Sequence, residues 1–166
     1  PINPDERITP PFAAPAALKI QVVDPLDEQD VERFAQASLG PFIPEGKEIT
    51  QGMLDTTRRV ARHPRCTCLM AELDGRIVST GALEVSGHVA ALFALSVLKD
   101  YRRRGIQQAM MAWRLNEAAR RGARFATIGA RPGIGTERNA RRMGFQVAYT
   151  KAILIRPGAN LTPVVE

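Results

Sequence analysis

The chain has 166 residues, of which 45% are hydrophobic and 24% charged, a composition typical of one globular domain with a sizeable core. It has no run of eighteen apolar residues and no basic start followed by an apolar stretch, which favours a cytoplasmic protein over a membrane or secreted one. The formal charge of +6 is uneven, because 12 Lys and Arg stand against 3 Asp and Glu between residues 99 and 142. This excess predicts a localised anion site, for cofactor phosphates or for a nucleic-acid backbone.

Five of the first fifteen residues are prolines, which predicts a proline-rich linker or extended tail over residues 1–18. We therefore expect the folded domain to span residues 19–156, followed by a C-terminal tail at 157–166. Because the chain does not begin with Met, we also expect it to be a fragment of a longer protein. Either a homodimer or a separate N-terminal lobe would then cover apolar surface that the fragment exposes.

Apolar periodicity and turn signals predict ten elements along the chain. In chain order they are a strand at 19–23, helices at 27–38 and 50–62, strands at 66–73, 77–85 and 89–97, a helix at 104–121, a strand at 124–130, a helix at 136–143 and a strand at 144–155. The order βααβββαβαβ predicts a mixed sheet with helices on both faces, a fold of the α/β (mixed α+β) class.

The cysteines and histidines do not form a ligand pattern. Cys66 and Cys68 are one residue apart in an apolar run, and His63 and His88 lack partners at ligand spacing. We therefore expect two reduced core thiols and no metal site.

The segment from Leu95 to Gln108 carries the clearest chemical signal. A strand ends there, the chain turns, and a helix begins at Gly105 directly after three arginines. Free N–H groups and the dipole of a helix N-terminus suit a pyrophosphate, and glycine permits its close approach. Aromatic residues, which would stack on bases, are only 5% of the chain, so cofactor phosphates are favoured over nucleic acid.

Two motifs in this half of the chain resemble those of the GNAT family of N-acetyltransferases. Arg102-x-x-Gly105-x-Gln107 resembles the family's acetyl-CoA loop, Arg/Gln-x-x-Gly-x-Gly/Ala, although glutamine stands at the last position. Thr136-x-x-Asn139, followed by a Gly-Phe pair, is similar to the family's penultimate helix and last strand. The stretch from residue 90 onward is also similar to the C-terminal lobe of bacterial tandem-lobe acetyltransferases.

The resemblance implies an acetyl-CoA-dependent N-acetyltransferase whose sheet splays between the fourth and fifth strands to admit the pantetheine arm. Its partners would be acetyl-CoA, as the acetyl donor, and an amine acceptor of unknown identity, with no nucleic acid, membrane or metal. The cofactor-binding residues implied by it are Leu95, Ser96, Val97, Arg102, Arg103, Arg104, Gly105, Ile106, Gln107, Gln108 and Asn139.

Candidates for acid and base catalysis are sparse. The fourth strand contains no carboxylate from Ala91 to Val97, and Ala140 stands where many family members have tyrosine. Glu84 and Tyr149 are the remaining catalytic candidates. Two functions therefore stay open, an active N-acetyltransferase and a catalytically silent acyl-CoA-binding lobe of a longer tandem protein. In an active transferase, the loop from Gly40 to Lys47 and the helix after it would border the acceptor pocket, and Glu45, Glu48 and Asp55 could attract a cation there.

Overall fold

The structure, a computed structural model, describes residues 1–3, 5–44, 46–152 and 154. In this part of the chain the strands are β1 (Lys19–Val22), β2 (Cys66–Leu73), β3 (Arg76–Ser86), β4 (Val89–Val97) and β5 (Phe125–Ile128). The α-helices are α1 (Glu28–Leu39), α2 (Gln51–Ala61), α3 (Ile106–Arg120) and α4 (Gly135–Arg142), and short 3₁₀ turns at Gly40–Phe42 and Lys99–Tyr101 follow α1 and β4.

The five strands lie side by side in chain order. The pairs from β1 to β4 are antiparallel, and β5 is parallel to β4. Tight turns at Asp74-Gly75 and Gly87-His88 connect the antiparallel strands β2, β3 and β4, the second one residue later than the predicted pair Ser86-Gly87. The helix α3 supplies the crossover that a parallel pair requires. The predicted mixed sheet and α/β class are confirmed.

Helices cover both faces of this sheet. Met70 of β2 lies in one core cluster with Phe34 of α1, whereas its neighbour Leu69 lies in another with Met110 of α3. All four side chains are fully buried, and each such burial contributes about 1.5–3 kcal/mol. The alternation of side chains along β2 therefore fixes α1 and α2 on one face and α3 on the other.

Local chemistry sets where the helices begin. Asp27 caps α1 as its position suggests, because its carboxylate accepts the N–H groups of Gln29 and Asp30 at 2.8 and 3.3 Å. The helix predicted from residue 104 begins at Ile106, since Gly105 has a φ of 72° that no right-handed helix adopts. None of the helices in the described residues is both long and apolar enough to cross a lipid bilayer.

The strand predicted at residues 144–155 is wrong where the structure describes it. Residues 145–152 form no strand, while Ile153 and residues 155–166 lie outside the described part. A strand is stabilised by cross-strand pairs and by burial of one face. Phe145 packs against the core, but Val147 and Tyr149 are 57% and 77% exposed, so the segment beyond Phe145 buries no apolar face.

The proline-rich segment before β1 lies along α3. Ile2 is buried, and its N–H donates to the carbonyl of Arg124 at 2.7 Å. Ile8 and Asn116 exchange two hydrogen bonds of 2.8 Å. Further along, Ala13 lies against the start of α3. These contacts attach the segment to the domain, and the domain boundaries stay a prediction.

Candidate active site

The outer edge of β4 is open over its second half. β5 pairs only with the first four residues of β4, and the last five have no strand beside them there among the described residues. The N–H of Leu98 bonds to Val78 in β3 at 2.9 Å, and successive backbone groups alternate sides along a strand. The N–H and C=O groups of Leu95 and Val97 therefore face the open edge. This is the predicted splay between the fourth and fifth strands.

A β-bulge interrupts β4 at this edge. Ala94 and Leu95 together oppose the single residue Gly81 of β3. Ala94 has a φ of 49°, a left-handed conformation that is strained by about 1–3 kcal/mol for a residue with a Cβ atom. Strain of this kind persists only where surrounding contacts enforce it.

Arg114 of α3 supplies such contacts. Its Nη1 donates to the carbonyls of Ala82 and Phe93 at 3.1 and 3.3 Å, and its Nε donates to Met110 at 3.1 Å. The side chain is fully buried, its Nη2 has no hydrogen-bond partner among the described residues, and burial lowers its pKa to about 10. A guanidinium that is still protonated at neutral pH thus links β3, β4 and α3 beside the bulge.

The turn after β4 presents unpaired donors. Within the described residues, the six N–H groups from Arg103 to Gln108 donate no hydrogen bond, and α3 has no side-chain N-cap. Arg103 and Gly105 both have positive φ, at 63° and 72°. N–H groups that converge at a helix N-terminus favour an anion, because the helix dipole adds positive potential there.

The three arginines of this turn are exposed and differ in their contacts. Arg102 donates from Nε to the carbonyl of Val97 at 3.2 Å and so bridges the open edge of β4. Arg104 stacks over the ring of Tyr101, 5.2 Å from its centroid. Arg103 completes a positive surface around the unpaired N–H groups.

Gln107 and Gln108 connect the start of α3 to α4. Asn139 donates from Nδ2 to Oε1 of Gln107, and its Oδ1 accepts from Nε2 of Gln108 at 2.9 Å. Arg142 also donates to that Oδ1 at 3.0 Å. The glutamine at the position where the GNAT loop has Gly or Ala therefore binds α4. The predicted contact of Asn139 with the cofactor stays a prediction.

A cavity of about 300 Å³, here called the edge cavity, opens between β4 and the start of α4. Its walls are formed by Leu95, Ser96 and Val97 of β4, Arg102 and Gln107 of the turn and α3, Gly135 and Thr136 of α4, and Pro41 and Phe42 after α1. Five of the predicted cofactor-binding residues thus line one space. Ile106 and Gln108 are instead buried in the core, at 1% and 7% exposure.

The sequence assigns no cofactor contact to four of these lining residues. Gly135 and Thr136 begin α4, and Thr136 belongs to the Thr-x-x-Asn motif. Pro41 and Phe42 belong to the loop from Gly40 to Lys47, which is predicted to border the acceptor pocket. Their position beside β4 depends on how α1 packs, which the sequence pattern does not encode.

A second cavity of about 240 Å³, here called the bulge cavity, lies against α1 and α2. Phe93 and Ala94 line it at the bulge, and Phe42 lines both cavities. The two spaces therefore adjoin at Phe42, the one described residue that both linings share. Apart from Arg102, no titratable side chain of the described residues lines either cavity.

The two predicted catalytic residues lie apart from these cavities. Glu84 pairs with Arg65 at 3.1 Å and stands opposite Ala91 in the strand register. Tyr149 is 77% exposed in the segment after α4. Neither residue lines a cavity wall, and their catalytic role stays a prediction.

Both cysteines are free thiols in the core region. Burial raises the pKa of Cys68 to about 12 and that of Cys66 to a smaller extent, so both stay protonated at neutral pH. In the described residues no three His, Cys, Asp or Glu side chains form a group that could hold a metal ion.

A mixed sheet that splays at its fourth strand, with a turn of unpaired N–H groups at the splay, is the architecture of acyl-CoA-dependent transferases. The model of the Acetyltransferase (GNAT) family matches residues 31–145, well over half of the chain, and the chain belongs to this family. Comparison with curated protein sequences gives no match.

Solved structures with the same fold are numerous but distant in sequence. An aminoglycoside acetyltransferase, meta-AAC0020, from an uncultured soil metagenomic sample has 14% identity and a TM-score of 0.66, covering 87% of this chain and 97% of its own. A ribosomal-protein-alanine N-acetyltransferase from Brucella melitensis biovar Abortus 2308 has 16% identity and a TM-score of 0.66, covering 84% and 99%. A protein described as a predicted acetyltransferase with acetyl-CoA, from Clostridium acetobutylicum, has 15% identity and a TM-score of 0.64, covering 83% and 96%. At these identities the likeness is one of fold alone.

Proposed function

We propose that the chain is an acetyl-CoA-dependent N-acetyltransferase that moves the acetyl group of a thioester to an amine. One observation carries the proposal: the edge cavity joins an unpaired strand edge to a turn of unpaired N–H groups and exposed arginines. Coenzyme A has the matching chemistry, since its pantetheine arm carries amides and its far end carries phosphates. Solved GNAT-fold proteins with acetyl-CoA add support.

In this proposal the pyrophosphate lies against the N–H groups from Arg103 to Gln108. The pantetheine amides pair with the backbone of Leu95 and Val97, as a neighbouring strand would. The thioester then lies near the bulge, beside Phe42, which lines both cavities. The acceptor amine enters from the bulge cavity.

The reaction forms a C–N bond and breaks a C–S bond. The amine nitrogen attacks the thioester carbonyl carbon, the thiolate of coenzyme A leaves, and one proton passes from nitrogen to sulfur overall. Holding the reactants in place contributes about 7–11 kcal/mol, whereas one general base contributes about 10²- to 10⁴-fold, or about 3–5 kcal/mol. Positioning by β4 and the turn therefore supports turnover without a dedicated base.

We predict that Glu84→Gln lowers kcat by less than about threefold. Removal of a general base would lower it by about 10²- to 10⁴-fold. Glu84 pairs with Arg65 and lies outside both cavities. The rate is followed by thiol release from acetyl-CoA, with Glu117→Gln as a control because Glu117 pairs with Arg120 on α3. A loss of several hundredfold in Glu84→Gln alone, with coenzyme A affinity retained, would identify Glu84 as the base.

The same scheme predicts a simple pH profile. No carboxylate, imidazole or phenol of the described residues lines a cavity, so the acceptor itself is the group that must lose a proton. We expect kcat/KM to rise with pH and to level off at the pKa of the acceptor amine. An inflection that stays in place when the amine is changed would instead report a titrating side chain.

The alternative is a catalytically silent acyl-CoA-binding lobe of a longer tandem protein. The scarcity of titratable groups in the described cavity walls favours it. Calorimetry with coenzyme A and thiol release with a panel of amines separate the two functions, because a silent lobe binds coenzyme A and releases no thiol. A cytoplasmic location, and a homodimer or a separate N-terminal lobe as partner, stay predictions.

A further inference from the structure

The bulge cavity has the composition of a site for an uncharged, apolar group. Its apolar wall is formed by Phe34, Leu39, Phe42, Val60, Phe93 and Ala94. Its polar groups are the hydroxyls of Ser38, Thr56 and Thr57, and Oγ1 of the two threonines already donates to a carbonyl of α2, at 2.8 and 2.9 Å. No charged side chain among the described residues lines it.

The carboxylates nearest in sequence to this cavity already have partners. Glu32 of α1 and Asp55 of α2 both pair with Arg58 at 2.8 Å, and Glu28 pairs with Arg62. Hydrogen bonds from Gln36 and Arg58 lower the pKa of Glu32, so it is ionised and paired in place. Asp30 of α1 likewise pairs with Arg33 at 3.3 Å, and none of these four carboxylates lines the cavity.

Among the described residues, the other acidic residue considered from the sequence does not supply a counter-charge in the cavity wall either. Glu48 is exposed in the loop before α2 and does not line the cavity, and Glu45 lies outside the described residues. An ammonium group transferred from water into an apolar space without a counter-charge is strongly disfavoured. An acceptor with several ammonium groups therefore fits this cavity poorly, whereas a single amine can enter as its free base.

We propose that the acceptor is a small primary amine on an apolar body, with no second charge, and that its body binds in the bulge cavity while its nitrogen points to the junction at Phe42. This inference rests on the proposed function. The volume of about 240 Å³ lies below the usual range of about 300–1,000 Å³ for drug-sized ligands, which favours a compact acceptor. The amine loses its extra proton to solvent before it enters, which accounts for a cavity without a base.

A matched pair of probes tests the acceptor class. Hexylamine and 1,6-diaminohexane have the same chain length, and only the second carries a distal ammonium group. We expect kcat/KM for hexylamine to exceed that for the diamine by at least about tenfold, the lower end of the discrimination that an apolar pocket achieves. A diamine, or an aminoglycoside such as kanamycin, that is used equally well or better would overturn the proposal.

A charge placed in the cavity gives a second readout. Thr56→Asp introduces a carboxylate on an exposed residue of the cavity wall, so the preference should shift toward the diamine by at least about tenfold. Thr50→Asp is the control, because it adds the same charge at the N-cap of the same helix, where aspartate also caps well, and outside the cavity wall. An equal shift in both variants would show a general charge effect and would count against the cavity.

Binding separates this inference from the proposed function. Calorimetry measures hexylamine and 1,6-diaminohexane against the protein saturated with coenzyme A. If neither amine releases thiol from acetyl-CoA but hexylamine binds at least about tenfold more tightly, the transferase function fails and the cavity assignment stands. If the diamine or kanamycin is acetylated preferentially, the function stands and the cavity assignment falls. Equal binding of both amines without turnover overturns both.

Discussion

Gly105→Asp is expected to lower the affinity for coenzyme A by at least about 100-fold. Two like charges placed side by side repel each other by several kcal/mol, and each 1.4 kcal/mol of binding free energy is a factor of ten in affinity. The substitution places a carboxylate among the N–H groups that we assign to the pyrophosphate. Gly105 also has a φ of 72°, where a side chain is strained, and a Cβ atom there would lie 2.8 Å from the carbonyl carbon of Ala13. Calorimetry with coenzyme A measures the effect.

Two further variants separate charge from strain. Gly105→Ala introduces the same Cβ atom without the charge, so the aspartate variant should bind coenzyme A at least about tenfold more weakly than the alanine variant. Gly75→Asp introduces the same charge at a φ of 76° in the turn between β2 and β3, with no atom within 4 Å, and should bind coenzyme A normally. An unchanged affinity in Gly105→Asp would remove the assignment of this turn to the phosphates.

Element types were predictable where local sequence decides them. Asp74, Gly75 and Gly87 all adopt positive φ in the two tight turns, a conformation that glycine and aspartate tolerate better than most residues, so the meander of β2, β3 and β4 followed from the sequence. The arginine-rich turn was predictable for the same reason, since a glycine before a helix needs no tertiary contact to expose N–H groups. The position of the edge cavity on β4 follows from these two features.

Tertiary packing decided the rest. Phe42 lies at the junction of the two cavities because the end of α1 packs against the sheet, and no spacing in the sequence encodes that contact. Ile2 is buried against α3 although it stands in a proline-rich stretch typical of linkers. The segment after α4 alternates like a strand, yet residues 145–152 pair with no strand among the described residues. In each case the sequence shows a preference and the neighbouring surface determines the outcome.

The sequence does not predict the β-bulge in β4 either. The stability of this bulge depends on a residue whose type is usually found on the exposed face of a helix. Arg114 is an arginine at a fully buried position of α3. Hydrogen bonds to a charged donor contribute about 1.5–3 kcal/mol each, and Arg114 makes three, whereas the burial of one ion costs several kcal/mol. The stabilisation by the three hydrogen bonds is thus similar in size to the cost of burying the charge. The carbonyls of Ala82 and Phe93 decide in favour of the arginine, because each buried carbonyl that lost its donor would destabilise the fold by about 1–3 kcal/mol.

Arg114→Met is therefore expected to lower the free energy of unfolding by about 3 kcal/mol, the loss expected when one partner of a buried polar network is removed. Urea denaturation measures the loss, and Arg120→Met is the matched control. Arg120 lies on the same helix, but its side chain is 74% exposed in a surface pair with Glu117, so its loss should stay below about 1 kcal/mol. Equal losses in the two variants would contradict the role of Arg114 at the bulge.

The pH dependence of this loss gives an independent check. Burial lowers the pKa of Arg114 in the folded protein to about 10, well below its value in the unfolded chain. The unfolded chain therefore binds more protons only above about pH 10, and the contribution of Arg114 to stability rises with pH only there. Across neutral pH both states carry the charge, so the difference between wild type and Arg114→Met should be constant. A difference that changes steadily through neutral pH would show that another titrating group is coupled to the bulge.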